Sequence, residues 1–314
     1  MPSRYNYETQ TTERRCPGCS AWFPQTAEFF YVRPSTGRAE KCLACHRAYY
    51  TARSANRSQR RSNTPAAPIV RRFGVEIEFK GDRMRVCEAL RAEGLNADVE
   101  GYNHHTRSYW KVVTDASVRG GGELVSPPLS GEEGRRQLAA ACRALKAAGA
   151  TVDKECGLHV HHEVRDLDRS AFGRVFRQWF LNQDLINGLV SPSRRGSNPY
   201  CKQLTGSLLD AVAGITSWSQ LRRFDRYFTL NPTSYPKYGT LEIRQHQGTI
   251  NAAKIIAWID FGQAMIESAK RQETCERSDS VVTLLATLHD RYGLSENAST
   301  YLTGRSVVLA GAAR

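Results

Sequence analysis

The stretch Phe73-Gly74-Val75-Glu76-Ile77-Glu78-Phe79-Lys80 alternates apolar and polar side chains from end to end, Gly74 apart. A β-strand turns successive side chains to opposite faces. Phe73, Val75, Ile77 and Phe79 therefore form one row, fit for a core, and Glu76, Glu78 and Lys80 form the other. Two carboxylates at i and i+2 on one face repel each other unless a cation or a basic group stands between them. Taken by itself, an ordinary solvent-facing strand explains this pair better than a metal does.

Two later segments repeat the pattern. In Cys156-Gly-Leu-His159-Val-His161-His-Glu163-Val, the residues His159, His161 and Glu163 share a face, with Leu158, Val160 and His162 opposite. In Thr240-Leu-Glu242-Ile-Arg244-Gln-His246, alternation puts Glu242, Arg244 and His246 on one face against Leu241 and Ile243. Paired histidines beside a glutamate suit a metal. An arginine beside acidic ligands suits a phosphate oxygen. Three such strands together point to metal ions clamping a polyphosphate. The chain has no Gly-x4-Gly-Lys-Ser/Thr loop and no Gly-x-Gly-x2-Gly fingerprint. Gly120-Gly121-Gly122 reads as a flexible turn before a strand.

Around these strands, strand signals recur at residues 109–114, 122–125 and 227–230. Helical periodicity covers residues 84–93, 131–149, 168–189, 251–270 and 280–292. Residues 191–206 read as a Pro/Ser/Gly-rich loop whose Arg194, Arg195 and Tyr200 contribute to selectivity, and the tail beyond residue 292 carries no clear signal. Strands and helices alternate without a βαβ rhythm, so the expected class is α+β, with packed helices on an antiparallel sheet. Upstream, residues 55–71 are rich in Ser, Asn, Arg, Ala and Pro and read as a basic linker. The expected division is a module over residues 1–54, this linker, and a main domain over residues 72–314.

The net charge of +13 is concentrated at the front, where residues 1–72 hold 13 Arg or Lys against 4 Asp or Glu. Such a segment attracts polyanions, nucleic acid first, or simply keeps the chain soluble. With 40% hydrophobic residues the chain can bury a sizeable core. It has no apolar run long enough for a membrane helix, and its first residues lack an apolar leader core. A cytoplasmic protein is expected, with no membrane partner.

Of the nine cysteines, Cys16/Cys19 and Cys42/Cys45 form two Cys-x2-Cys pairs separated by 22 residues. This spacing matches a tetrahedral Zn²⁺ site of four thiolates, a staple that a segment too short for its own core needs. Cys87, Cys142, Cys156, Cys201 and Cys275 read as buried thiols. Residues 15–54 resemble a treble-clef zinc finger such as that of phage endonuclease VII-like proteins. Those nucleases carry acidic and His residues after the zinc helix, whereas residues 54–63 have neither. Nuclease chemistry is therefore not carried over, and a docking role weighs evenly against nucleic-acid binding.

A second resemblance covers residues 72–270. Gly74-Val-Glu76-Ile-Glu78, Thr114-Asp115-Ala-Ser117, Glu123-Leu-Val-Ser-Pro-Pro-Leu129, Cys156-Gly-Leu-His159-Val-His161, Leu230-Asn231-Pro and Glu242-Ile-Arg244 follow the motif order of the amidoligase family. That family stands with glutamine synthetase and γ-glutamylcysteine ligase among carboxylate–amine ligases. The resemblance implies a glutamine-synthetase-like sheet and an ATP- and Mg²⁺-dependent ligase that makes an amide through an acyl phosphate. It implies Mg²⁺ ligation by Glu76, Glu78, Glu123, His159 and Glu242. It sets His161 and Arg244 at the ATP phosphates, Asp115 at the amine as base, and Arg226 and Asn231 near the nucleotide. The acid and amine would be peptide, amino acid or nucleic-acid-linked. The alternatives are an inactive ligase fold that binds nucleic acid or protein through its finger, and a metal-dependent nuclease.

Overall fold

The computed structural model describes residues 2–6, 11–17, 19–25, 30–32, 39–46, 71–196, 198–272 and 275–311. The chain divides into two compact units, Met1–Pro65 and Ala66–Arg314. The expected helix after Cys42 is described only at residues 43–46 and the expected linker only at Arg71; the remainder of both lies outside the described residues.

In the front unit, β1 (Ser3–Asn6), β2 (Thr11–Arg15) and β3 (Trp22–Pro24) form an antiparallel sheet, and β4 (Phe30–Val32) pairs with β5 (Ala39–Cys42). Among the described residues its buried apolar cluster is Cys16, Phe30 and Cys42, with Phe23 and Cys45 packed against them.

The second unit is built on seven strands: β6 (Phe73–Lys80), β7 (Ala97–Val99), β8 (Trp110–Val113), β9 (Gly121–Val125), β10 (Gly157–Glu163), β11 (Leu230–Asn231) and β12 (Thr240–Gln247). Their order is β11-β12-β10-β6-β9-β8-β7. The sheet is mixed rather than wholly antiparallel, because β7 and β8 run parallel. Residues 100–109 return the chain to start β8 in the direction of β7, the crossover a parallel pair needs. The segment β7 is three residues long and carries no readable alternation. In the region expected as a strand over residues 227–230, Leu230 joins the sheet with Asn231, and Phe228 makes an isolated parallel bridge to Lys202.

Helices α1 (Arg83–Ala92), α2 (Gly131–Ala147), α3 (Arg169–Asn187), α4 (Gly206–Ala213), α5 (Ala252–Arg271), α6 (Val281–Tyr292) and α7 (Glu296–Gly311) complete the unit. Five of them start at side-chain caps: Asp82, Asp168, Thr205, Asn251 and Ser280 each accept a backbone N–H of the first turn. The α7 helix arises where the tail gave no signal, because Ala298 and Leu302 are buried in the common core. That core joins Val75, Ile77, Leu158, Val160, Leu241 and Ile243 of the sheet to Phe172, Trp179, Trp258 and Phe261 of the helices. Full burial of each large apolar side chain contributes about 2 kcal/mol. The helices thus occupy the apolar face of the sheet, and the opposite face carries the charged rows.

Two local features position those rows. Opposite His159, β12 has two residues, because Val160 pairs with Ile243 while Leu158 pairs with His246. This bulge reverses the alternation beyond Arg244. His246 therefore turns to the helical side, its ring 5.2 Å from Trp258, and burial lowers its pKa to about 3. The expected trio of Glu242, Arg244 and His246 is in fact a pair. The second feature is Gly121-Gly122, which opens β9 rather than forming a loose turn. A Cβ on Gly121 would lie 1.9 Å from the Phe79 carbonyl oxygen, and one on Gly122 would lie 2.4 Å from that of Val113. Only glycine lets β6, β8 and β9 close here, and Glu123 follows at once.

Candidate active site

The charged face is assembled by register. Glu76 of β6 pairs with His159 of β10, Glu78 of β6 with Glu123 of β9, and His161 of β10 with Glu242 of β12. Directly opposed residues share a face, so these six side chains form three cross-strand pairs on it.

The distances are short. His159 Nδ1 lies 3.2 Å from Glu76 Oε2 and His159 Nε2 lies 3.6 Å from Glu78 Oε1. His159 Nδ1 is also 4.0 Å from Glu123 Oε1 and 3.8 Å from Glu242 Oε1. His161 Nε2 is 3.3 Å from Glu76 Oε1, and its Nδ1 is 3.0 Å from Thr240 Oγ1. Glu78 Oε2 accepts the Gly157 backbone N–H at 2.6 Å. Arg244 donates to Glu242 through Nη1 and to the Tyr200 carbonyl through Nε at 3.1 Å.

The donors fall into three groups, each close enough to hold one cation: Glu78, Asp115 and Glu123; Glu76, Glu123 and His159; and Glu76, His161 and Glu242. Glu123 belongs to the first two and Glu76 to the last two, so the groups run as a row across the sheet. Asp115, expected at the amine, and His161, expected at a phosphate, are both within metal-ligating reach. Asp115 also closes its own turn, accepting the Ser117 backbone N–H at 2.6 Å.

Electrostatics follow from this crowding. Burial and the fields of Glu76 and Glu78 push the Glu123 carboxyl well above the usual range. Burial opposes charge on Glu76, but hydrogen bonds from His159 and His161 outweigh it and hold its carboxyl well below that range. Burial likewise opposes charge on Glu242, and Arg244 and His161 overcome it. His161 is raised because Glu76 more than offsets its burial. Five carboxylates face Arg244 and two histidines. Hard oxygen donors in excess, with imidazole nitrogen interspersed, fit divalent cations such as Mg²⁺ or Mn²⁺.

Asn231 is buried and donates to Glu242 Oε2 at 2.6 Å, so it orients that carboxylate. Arg226 is exposed, its guanidinium 5.5 Å over the Tyr227 ring. Tyr227 also receives the Arg244 guanidinium at 5.7 Å. Lys111, which drew no attention in the sequence, shares the face because it pairs with Val125 beside Glu76. Its ammonium, 4% exposed, donates to the carbonyls of Asn103 and His105 and to Asn103 Oδ1, tying residues 103–105 to the sheet. A lysine set between Trp110 and Val112 in a short apolar strand was the available signal. A groove of about 820 Å³ beside α3 and α4 is lined by none of the cluster's carboxylates or histidines.

In the front unit, Cys16, Cys19, Cys42 and Cys45 have sulfurs within 4.8 Å of one another. The Cys19–Cys42 sulfur separation is 3.8 Å. Sulfurs about 2.3 Å from a shared zinc in a tetrahedron lie about 3.8 Å apart. Burial raises the Cys42 thiol, and the Cys42 contact together with burial raises Cys45 to about 12. Four crowded sulfurs favour neutral thiols unless a cation holds them ionised, so the donor set fits zinc.

Comparison with known proteins adds the following. A family model described as "Putative amidoligase enzyme" matches residues 70–266. No curated protein matches the chain significantly in sequence. Among solved structures, one titled a novel glutamine synthase homolog aligns with TM-score 0.39 and 12% identity, over 87% of this chain and 71% of that one. The complex of the prokaryotic ubiquitin-like protein Pup with its ligase PafA aligns with TM-score 0.35 and 12% identity, over 77% of this chain and 63% of that one. No helix among the described residues is long and apolar enough to cross a membrane.

Proposed function

The chain belongs to the amidoligase family, and from that premise we propose an ATP- and Mg²⁺-dependent ligase that joins a carboxylate to an amine through an acyl phosphate. Family membership supports carboxylate–amine ligase chemistry. The observation that carries the finer reading is the row of three donor groups sharing Glu76 and Glu123 on one sheet face. A shared row of acidic groups suits a polyphosphate whose charge must be neutralised at several oxygens.

In this reading residues 72–314 form the catalytic domain, residues 55–71 connect it, and residues 1–54 form a zinc-stapled module. Glu76, Glu78, Glu123, His159 and Glu242 would hold Mg²⁺, with Asp115 and His161 completing the outer groups. Bound Mg²⁺ would supply charge neutralisation and orientation of the phosphates. Arg244, steadied by Glu242 and the Tyr200 carbonyl, donates to a phosphoryl oxygen. Asn231 keeps Glu242 turned to the face, and Arg226 reaches the nucleotide from the rim. The acid's carboxylate oxygen attacks the γ-phosphorus, the bond to ADP breaks, and an acyl phosphate forms. The amine nitrogen then attacks the acyl carbon, phosphate leaves, and Asp115 takes the amine proton. The basic front module suits an acceptor carried on a nucleic acid, and a peptide or amino-acid acceptor fits the reading equally.

The test is ADP release across pools of acids and amines. Release that requires one acid and one amine together, and is lost in Glu76→Gln, supports the proposal. ATP turnover indifferent to every amine counts against it. DNA cleavage with Mg²⁺ and no ATP would favour the nuclease alternative.

A further inference from the structure

The Pro192–Arg194 turn delivers a second guanidinium to the charged face. Arg194 is 3% exposed. Its backbone is fixed by the turn bond to the Ser191 carbonyl at 2.9 Å, and Ser191 N–H donates to Gln247 of β12 at 3.0 Å. The side chain then runs inward. Gly157 occupies a position of β10 on the same face as His159. A Cβ there would lie 2.9 Å from Arg194 Nη2 and 3.1 Å from His159 Nε2. Glycine at 157 therefore leaves the space that the guanidinium occupies, beside the ligand row.

What this guanidinium lacks is a direct ion-pair partner. Among the described residues it joins no ion pair, its Nε has no hydrogen-bond partner, and Nη2 reaches only the Glu155 carbonyl at 3.5 Å. The nearby Glu78 is engaged by the Gly157 N–H and lies beside His159. Arg244 on the same face, also buried, is neutralised by Glu242. A buried, unpaired guanidinium is costly, and a planar fork matches the paired oxygens of a carboxylate or a phosphoryl group.

We propose that Arg194 binds a substrate oxyanion on the ligase face, either the terminal phosphoryl group or the acid's carboxylate. This rests on the ligase reading above. The test uses the full chain with Mg²⁺ and three probes: ADP, the β,γ-imido analogue of ATP, and glutarate added to the ADP-loaded protein. Binding is measured by calorimetry for wild type, Arg194→Met and Arg194→Lys.

The methionine variant is expected to weaken the imido analogue or glutarate about tenfold or more, with ADP unchanged. The arm that moves identifies the oxyanion. The lysine variant, which keeps the charge without the fork, should fall between, and it carries the test if the methionine variant does not fold. No loss in either arm overturns the proposal. An equal loss of ADP also overturns it, by marking a merely structural role. Wild type that binds neither nucleotide overturns the ligase reading, and this inference with it.

Discussion

The front unit and the charged face of the sheet both gather donors that no apolar core would choose, yet they do so by opposite routes. Cys16, Cys19, Cys42 and Cys45 come from two tight local pairs, with soft sulfur donors that themselves make up most of the buried cluster among the described residues. Glu76, Glu123, His159, His161 and Glu242 come from four strands widely spaced in the chain, with hard donors on a scaffold that has an extensive core behind it. The difference teaches what each metal would be for. In the front unit binding energy would be folding energy. On the sheet the core would hold the fold without a metal, leaving any bound cation free to act on substrate.

The largest effect should come from breaking the sheet row where two groups share a residue. Glu76→Gln is expected to lower amide-forming turnover by about a thousandfold or more, with the thermal midpoint of the second unit hardly moved. Collapse of that unit instead would mean that the row is structural, and the contrast would fail.

Next comes the front unit. A zinc chelator, or Cys42→Ser, should abolish its resistance to proteolysis while the second unit melts as before. Limited proteolysis with metal analysis reads this directly. A front unit that stays protected without metal would erase the distinction.

A third prediction sharpens the claim that the second unit is held by its own core and ion pairs. Arg71, 6% exposed at its side chain, joins Asp166 at 2.5 Å and Glu267 at 2.6 Å, tying the start of β6 to α5. Arg71→Met should cost about 2 kcal/mol in denaturant unfolding, because it removes a buried guanidinium from two carboxylates, although Asp166 keeps Lys270 and Glu267 keeps Arg271. A cost below about 1 kcal/mol would mark the pair as exposed in effect.

The smallest effect concerns the edge of the site. Glu100 accepts from Arg107, Tyr109 and Asn103, which together lower its carboxyl to about 2 against an ordinary 4.5. A depressed carboxyl stabilises above its ordinary value and loses that contribution as pH falls toward its folded value. Hydrogen exchange in residues 101–109, relative to intrinsic rates, should therefore rise between pH 4.5 and about 2. Glu100→Gln should flatten the dependence; an unchanged profile would sink the assignment.

Much of the site could be read in the sequence because strand alternation is a strict geometric rule. Glu76, Glu78, His159, His161, Glu242 and Arg244 were each assigned a face from spacing two, and register brings them together. His246 escaped the rule because a bulge is a two-against-one pairing between strands, and neither strand alone records it. The parallel β7–β8 pair was hidden for a similar reason: Ala97–Val99 is too short to show a period. Lys111 was overlooked because its partners are backbone carbonyls, which every residue possesses. The donor group that includes Asp115 depends on a turn meeting two strands, a proximity that no local pattern encodes.

The central claim is that this face makes an acyl phosphate from a carboxylate. It is tested most directly with ¹⁸O in both carboxylate oxygens of the acid that the ADP-release screen identifies. The account predicts one labelled oxygen in each inorganic phosphate released, alongside unlabelled ADP. Phosphate free of label, or label carried into AMP, would contradict it.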